Sequence, residues 1–506
     1  MVKTSGDDRT ALAGRTIRRA GKGLGLGVYD ERRVKIVATL GPASSSRETL
    51  TALFQAGVDV VRINAAHGSP DERAQMIDDV RSTSAELGRM VPILFDLRGL
   101  KIRTGPLANG ERIPVARGSK LEIVNTPEPT TATRIGIDYP ALFDAIQVGS
   151  RILISDGLIE LLVESITGHV AICQVGRGGQ LLGRQGVTLP GAPIRGGSLT
   201  EVDRTDLAWG LQQGVDFLGL SFIAEEYDLR LAREFAGGPN GPGLIAKIER
   251  PDALANLRAI AGVADGLMVA RGDLGVQMAP ERVPRAQKDI IKVANELAVP
   301  VITATQMLES MITQPVATRA ETSDVANAVW DGTDAVMLSA ETAVGDYPVE
   351  AVLTMGRIIR EAERDGPIRS ETSAKPLPDR EPTQIFADAI ARAARELAEQ
   401  SPVEHIVVFT ITGSAVRRVA KYRPRPPIIG VATEESMARR LNLVWGVRAT
   451  VVPLEDDPDH LFRIAGRQII DLGLATDGTY ALIAGSLPMT RVSGRTNMIH
   501  VRRLGT

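Results

Sequence analysis

The sequence predicts a parallel (β/α)8 TIM barrel with an inserted small β-barrel domain and a C-terminal doubly wound α/β domain. Three observations carry this. Eight short, apolar, β-branched runs end in polar residues and alternate with helix-like stretches. Residues 105–190 break that rhythm with strand-like alternation and many glycines. A polar, proline-containing stretch at 365–383 then precedes a region with its own strand and helix pattern. A doubly wound sheet is the alternative for the first region, and the count of eight favours the barrel.

The eight runs, in order, are VKIVATLG (34–41), VDVVRINAAHG (58–68), VPILFDLRG (91–99), VDFLGLSFI (215–223), GLIAKIE (243–249), DGLMVARGD (265–273), VPVITATQ (299–306) and TDAVMLSAET (333–342). Between most of them lie stretches such as SRETLTALFQAG, where apolar residues recur every three to four positions and a Gly closes the helix. Inside the insertion, KLEIV, RILISDGLIELLVESI and HVAICQV alternate as half-buried strands do. After the linker, IFADAIARAARELAEQ reads as an amphipathic helix, and HIVVFT, PPIIGVAT, RATVVP and YALIAGS as strands. The expected boundaries are an N-terminal extension at 1–32, the barrel at 33–104 and 191–366, the inserted β domain at 105–190 and the C-terminal domain at 384–506.

Composition narrows the class. A chain of 506 residues is expected to hold more than one domain. Its 43% apolar and 24% charged residues are ordinary for a soluble globular enzyme. A net charge of −2 gives no reason to expect a nucleic-acid or membrane surface. The single cysteine, Cys173, excludes an intrachain disulfide and suits a reducing, cytoplasmic setting. The first 32 residues are basic and Gly-rich without a hydrophobic core, which reads as a flexible or helical extension. Asp7 and Asp8 argue against a transit peptide there.

In such a barrel, chemistry sits where the strands end. The residues there are Arg62 and Asn64, Asp96, Ser221, Lys247 and Glu249, Asp273, Thr305, and Ser339 and Glu341. Lys247 and Glu249 are two apart, so they share a strand face. Glu249 and Asp273, on neighbouring strands, can hold one hard divalent cation and leave positions for substrate oxygens. Lys247 is then a fixed cation aimed at a transferring group. Arg62 and Arg103 add planar donors suited to phosphate. The stretch FDLRGLKIRTG (95–105) gathers Asp96, Arg98, Lys101 and Arg103, with Arg89 upstream, as if to hold an anion or to replace a metal ion with a tethered cation. Each feature has a plain reading: an ion pair for Lys247 and Glu249, a turn for ARGD, a helix cap for a Ser or Thr. Convergence of several such residues on one barrel mouth favours a site. Gly21-Lys22 is followed by Gly, so there is no P-loop, and phosphates must be held by metal and side chains.

The motifs VKIVATLGPAS, VVRINAAHG, FDLRGLKIRTG, GRQGVTLPGA, IAKIERPDAL, MVARGDLGVQ, TATQMLESM, TRAETSDVANAVWDGTDAVMLSAETAVGDYP and VAKYRPRPPIIG, in this order and over residues 33–502, resemble the pyruvate kinase family. The resemblance implies phosphoryl transfer from phosphoenolpyruvate to ADP, giving pyruvate and ATP, with Mg2+ or Mn2+. It also implies a mobile inserted lid, a regulatory C-terminal domain and a homotetramer. By position, Lys247 matches the lysine that stabilises the phosphoryl group in flight, and Glu249 and Asp273 match the metal ligands. The backbone of Ala270, Arg271 and Gly272 matches the phosphoenolpyruvate site at a helix start, and Thr305 the threonine near the enol methylene. Arg62 and Asn64 match residues that reach the phosphates, His67 a nucleotide-side histidine, and Arg103 a further phosphate contact. Arg184 precedes Gln185, which stands where the family usually has a lid lysine.

Other departures bear on monovalent cations. Ala66 replaces a Ser that supplies a K+ ligand, Leu97 replaces a Thr, and Lys101 replaces a Glu that accompanies K+. Members with Lys at that position resemble the K+-independent branch. The expectation is that Lys101 supplies a built-in cation opposite Asp96, while Arg98 and Arg103 face the anionic substrate. In the C-terminal domain, Thr410, Thr412, Gly413 and Ser414 align with a loop that binds the phosphate of a sugar-phosphate effector. Ile411, Ser414 and Ala415 depart from that loop, so weak activation or a different effector is expected. A metal-dependent barrel lyase or aldolase would use Glu249 and Asp273 equally well but needs neither extra domain. A non-catalytic regulator would predict the loss of Lys247 or a metal ligand.

Overall fold

The computed structural model describes residues 32–126, 128–192, 199–366, 381–486 and 496–505. The N-terminal extension falls almost entirely outside them. Eight parallel strands close into a barrel: Lys35–Thr39, Val60–Asn64, Ile93–Asp96, Phe217–Leu220, Gly243–Ile248, Gly266–Ala270, Val301–Ala304 and Ala335–Leu338. They are called barrel strands 1 to 8 here. Strand 8 closes on strand 1 with Lys35 opposite Ala335. All eight fall inside the runs expected from the sequence.

The local rules are visible in the helices that follow. Helix Arg47–Ala56 starts at Ser46, whose hydroxyl accepts the Thr49 N–H, and ends at Gly57 in the left-handed region (φ 112°). Ser69 with Glu72, and Thr318 with Glu321, form reciprocal caps at the starts of helices Pro70–Glu86 and Arg319–Trp330. These helices lay their apolar stripes on the strands and bury a core that includes Phe54, Ile63, Phe95 and Ile290.

Between barrel strands 3 and 4 the chain leaves for an all-β domain with its own core around Ile123, Ile135, Ile152 and Cys173. The expected small β-barrel is built as a six-stranded sheet and a separate two-stranded ribbon rather than as one hydrogen-bonded ring. The strands at the two edges of that sheet, Val187–Thr188 and Arg134–Gly136, are too short to ladder onto each other.

The C-terminal domain carries the four expected parallel strands, in the order Val447–Val451, Ile428–Ala432, Val403–Thr410 and Tyr480–Gly485. A fifth strand, Met498–Arg503, pairs antiparallel to the last of these and was not anticipated. Its pattern MIHVRR is half polar and half exposed, with no residue fully buried, which weakens the sequence signal. This domain packs under the barrel end opposite the strand C-termini: Asn442 donates to the Met90 carbonyl (2.6 Å), and Lys35 at the start of strand 1 donates to the Val447 carbonyl (2.6 Å). Among the described residues no helix is long and apolar enough to cross a membrane.

Candidate active site

Strand 5 delivers Lys247 into the mouth of the barrel. Its Nζ lies 2.8 Å from Glu249 Oε1, 2.8 Å from Ser221 Oγ and 3.4 Å from Asp96 Oδ1. Asp96 and Glu249 are each only 1% exposed. Burial lowers the Lys247 ammonium pKa, but Asp96 and Glu249 outweigh it and hold the group charged, above the usual lysine range. Burial alone raises Asp96, and Lys247 and Arg62 then pull it below its usual value. For Glu249, burial prevails and the carboxyl is raised.

Arg62, from strand 2, donates from Nε (2.8 Å) and Nη2 (2.6 Å) to Asp96 Oδ2, and from Nη1 to Thr39 Oγ1 (3.1 Å). The guanidinium is thereby fixed in one orientation at the rim. Asp96 Oδ1 accepts no hydrogen bond and is buried.

The turn after strand 4 holds the central pair in place, a role the sequence did not disclose. Ser221 accepts from Lys247 and donates to the Leu97 carbonyl (3.1 Å). Phe222 sits in the left-handed region (φ 56°) and points its N–H at Glu249 Oε2 (2.7 Å). A non-glycine residue there costs of order 1–3 kcal/mol and persists only when its surroundings enforce it. Two glycines make the space. A Cβ on Gly219 would lie 2.8 Å from Asp96 Oδ1, and one on Gly99 (φ 65°) 2.5 Å from Ser221 Cβ. The glycine inside the run VDFLGLSFI is the signal that a side chain approaches that strand closely.

On the other side, Arg271 begins a helix, Arg271–Gln277, directly after strand 6. Thr305 and Gln306 both adopt left-handed backbone (φ 66° and 55°). The Arg271 guanidinium clamps them: Nη2 donates to the carbonyls of Thr305 (2.6 Å) and Gln306 (3.0 Å), while Nη1 reaches Asp324 (2.8 Å). The Gly272 N–H then meets Thr305 Oγ1 at 2.8 Å. The Arg271 side chain is thus a clamp, and ARGD is a helix start rather than a turn.

Asp273 projects from the first turn of that helix and is exposed. It makes no hydrogen bond or ion pair with a described residue. Desolvation raises its pKa, with Asp96 and Asp156 of the inserted domain adding to the rise against Lys247. Among the described residues no three His, Cys, Asp or Glu side chains gather as a metal cage. What exists is a pair of carboxylates, one of them without a partner among the described residues, beside the fixed cation of Lys247. That donor set fits a hard cation that draws its remaining ligands from substrate and water.

The outer rim is cationic. Lys101 and Arg103 are exposed, and Arg103 donates to the Arg184 carbonyl of the inserted domain (3.0 Å). Desolvation and then Arg103 and Lys247 lower the Lys101 ammonium, while Asp96 and Asp273 pull it back. His67 is lowered by desolvation and by Lys101, Arg62 and Arg103, so it is neutral near pH 7. Asn64 turns its Oδ1 to the Ala66 N–H (3.0 Å). Gln185 Oε1 accepts the Leu182 N–H (2.9 Å), so it caps a turn of the lid.

Some expected site residues are elsewhere engaged. Arg98 pairs with Asp206 (2.8 Å) on helix Glu201–Gln212 and does not face the mouth as a free cation. Arg89 bonds the carbonyls of Phe54 and Val58 near the far end of strand 3. Glu341 accepts the N–H groups of Ser339 (2.7 Å) and Leu308 (3.2 Å) and so shapes the loops after strands 7 and 8. Asp96 is met first by Arg62 and Lys247; Lys101 acts on it from farther out and makes no ion pair with it. In the C-terminal domain, the Gly413 N–H (φ 79°) bonds Thr410 Oγ1 (2.9 Å), and Thr412 Oγ1 meets Ser414 Oγ (3.2 Å) where helix Ser414–Lys421 begins.

Comparison with known proteins follows this geometry. Residues 31–352 match the family model of the pyruvate kinase barrel domain, and residues 388–502 that of the pyruvate kinase alpha/beta domain. The chain is 42% identical to a pyruvate kinase of Geobacillus stearothermophilus over 93% of its own length and 80% of the relative's. It is 40% identical to one from Methylorubrum extorquens over 93% of its length and 97% of the relative's. A crystal structure of a pyruvate kinase from Cryptosporidium parvum superposes with a TM-score of 0.85 at 31% identity, covering 94% of this chain and 96% of that one.

Proposed function

The chain belongs to the pyruvate kinase family, and we propose that the constellation around Lys247 is where it transfers the phosphoryl group of phosphoenolpyruvate to ADP. It is a phosphotransferase of that family, and the reaction produces pyruvate and ATP. The observation that carries the site assignment is the single ammonium of Lys247 bracketed by Glu249, Ser221 and Asp96 at the barrel mouth.

The reaction brings two polyanions together, so the chain's task is alignment and charge neutralisation. Lys247 holds a permanent positive charge at the transferring group. Arg62, locked by Asp96 and Thr39, presents a fixed guanidinium edge to phosphate oxygens. The backbone of Ala270, Arg271 and Gly272 receives the enolpyruvate end, and Thr305 lies beside it. Asn64, His67, Arg103 and Arg184 line the nucleotide side. A Mg2+ ion held by Glu249 and Asp273 supplies, when bound, further neutralisation of phosphate charge. The family reading also carries a cytoplasmic homotetramer, which the exposed apolar side chains Val316, Trp330 and Val344 support. Light scattering would check the assembly. Activation through the Thr410–Ser414 loop is weak or uses a different effector, because Ile411, Ser414 and Ala415 leave it without a basic residue and a final hydroxyl.

The direct test is pyruvate formation from phosphoenolpyruvate with and without ADP. ADP-dependent pyruvate is expected; pyruvate released equally without ADP would indicate a lyase-type or hydrolytic barrel instead. For the metal site, Glu249→Gln and Asp273→Asn are each expected to weaken Mn2+ binding about tenfold or more, read by calorimetry or electron paramagnetic resonance. Unchanged Mn2+ affinity in both variants would remove the ligand assignment. Ser221→Ala takes away one of three contacts that orient Lys247. It is expected to lower kcat about tenfold with little change in KM, since a charge-assisted hydrogen bond is worth roughly 1.5–3 kcal/mol. A rise in KM at full kcat would make Ser221 a binding residue rather than a positioning one.

A further inference from the structure

The chain leaves the barrel for the inserted domain between Leu97, buried in the barrel core, and Ile102, buried in the inserted core. Gly99 lies at that crossing and is held by a residue of a different element. Asp203, on helix Glu201–Gln212, is fully buried. Its Oδ1 accepts the Gly99 N–H (2.9 Å), and its Oδ2 accepts the N–H (3.0 Å) and hydroxyl (2.7 Å) of Thr200. It has no ion-pair partner among the described residues. Asp206, one turn further along, holds the Arg98 side chain (2.8 Å), so one helix grips two adjacent residues of the crossing.

Helix capping explains only half of this. Thr200 and Asp203 form a reciprocal box at the helix start, which uses Oδ2. Oδ1 is not needed for the cap and goes to Gly99, 104 residues away in sequence. Gly99 in turn lies against the turn after strand 4. A Cβ there would be 2.5 Å from Ser221 Cβ and 2.8 Å from the Phe222 ring. Leu97 bonds the same turn: its carbonyl accepts from Ser221 Oγ (3.1 Å), and its N–H donates to the Gly219 carbonyl (2.9 Å). The segment Leu97–Gly99 is therefore held on one side by Asp203 and packed on the other against the residues that orient Lys247 and Glu249. Ser221 Oγ lies 2.8 Å from Lys247 Nζ, and the Phe222 N–H 2.7 Å from Glu249 Oε2, so a shift of Gly99 reaches the central charges through one close-packed layer.

We propose that Asp203 is a positioning residue for phosphoryl transfer: by fixing Gly99 it holds the Ser221–Phe222 turn in place, and through that turn Lys247 and Glu249. It touches neither substrate nor metal and acts only through these neighbours. The inference rests on the assignment of Lys247 to the transferring group.

The test is steady-state kinetics with a thermal melt on the full-length enzyme. Asp203→Asn keeps the shape, but its amide cannot accept at both positions, so one N–H is left facing a donor. A fall in kcat of about tenfold is expected, with KM for phosphoenolpyruvate changed less than about twofold. In the Ser221→Ala background the same substitution is expected to cost about threefold or less, because part of its route to Lys247 is already cut. Thr200→Val removes the cap hydroxyl and leaves the Gly99 bond, so a lower Tm with kcat within about twofold of wild type is expected. Should Asp203→Asn fail to fold, Asp203→Ser keeps a short acceptor for the cap without reach to Gly99, and the same loss of kcat is expected. Unchanged kcat in the folded variant, whatever its Tm or KM, would make Asp203 a helix cap and overturn the proposal. So would a loss of about tenfold that persists undiminished on top of Ser221→Ala. Lys247→Met, run alongside, keeps the two readings apart. An active Lys247→Met would overturn the assignment on which the role of Asp203 rests, whereas an inactive one beside a fully active Asp203→Asn would remove only the role of Asp203.

Discussion

Lys247→Met is expected to lower kcat by at least about 10²–10³, the usual loss for one donor that stabilises transition-state charge. No neighbour can stand in for it. Arg62 is locked between Asp96 and Thr39, and Lys101 makes no contact with Asp96. The variant also removes the cation lying between two buried acids, Asp96 and Glu249. Breaking a buried pair on one side commonly costs roughly 3–5 kcal/mol. Here the cost is moderated, because burial already raises the Glu249 carboxyl and the group can take up a proton in place of the lost ion pair. The protein should therefore fold with a lowered Tm, by less than loss of a fully committed pair would give. Steady-state kinetics and a thermal melt on the same preparation separate the two effects. More than a tenth of wild-type turnover would take Lys247 out of the mechanism.

The second large effect concerns the monovalent cation. Near-full activity is expected in a K+-free buffer holding Mg2+ and a bulky organic cation. Lys101→Glu is expected to remove most of that activity, and K+ to restore part of it. The motivation is Asp96 Oδ1, a buried carboxylate oxygen without a hydrogen bond that has Lys247 Nζ only at 3.4 Å. Such an oxygen favours a cation within reach, and Lys101 is an exposed ammonium on which Asp96 and Asp273 both act. An ammonium and a K+ about 4 Å apart would repel by roughly 4 kcal/mol at an effective dielectric near 20, so the two exclude each other. The loss of a hydroxyl at Ala66 works in the same direction. In this geometry Arg62 and Lys247 are the groups against Asp96, so this reading requires Lys101 to move inward when substrates bind. A tenfold or greater stimulation of the unmodified enzyme by K+ would end this reading.

Much of the site was legible because strand-end position is a local property. Lys247, Glu249, Asp273, Thr305 and Arg62 each follow an apolar run, and the structure brings all five to one mouth. Arg103 and His67 also lie on its rim. The misreadings concern long cationic side chains. Arg98 stands between Asp96 and Lys101 in sequence but pairs with Asp206, 108 residues away. Arg271 was read through its backbone, and its side chain proves to be the clamp on Thr305 and Gln306. Ser221 shows in the sequence only as a strand end and Phe222 gives no sign of a role, because neither hydrogen-bond partner is near in sequence.

The sequence by itself determined the alternation of strands and helices, the count of eight, the all-β insertion, the parallel core of the last domain and the residue types at each strand end. Those follow from side-chain periodicity, turn residues and caps, all of which act within a few positions of the chain. The tertiary structure alone decided which charges are committed and which remain open. Arg62 is fixed on Asp96, Arg98 is taken by Asp206, and Asp273 is left without a partner among the described residues. The physical reason is that electrostatic and hydrogen-bond energies depend on separation and burial in space, and a guanidinium carries no mark in the sequence of the carboxylate it will find.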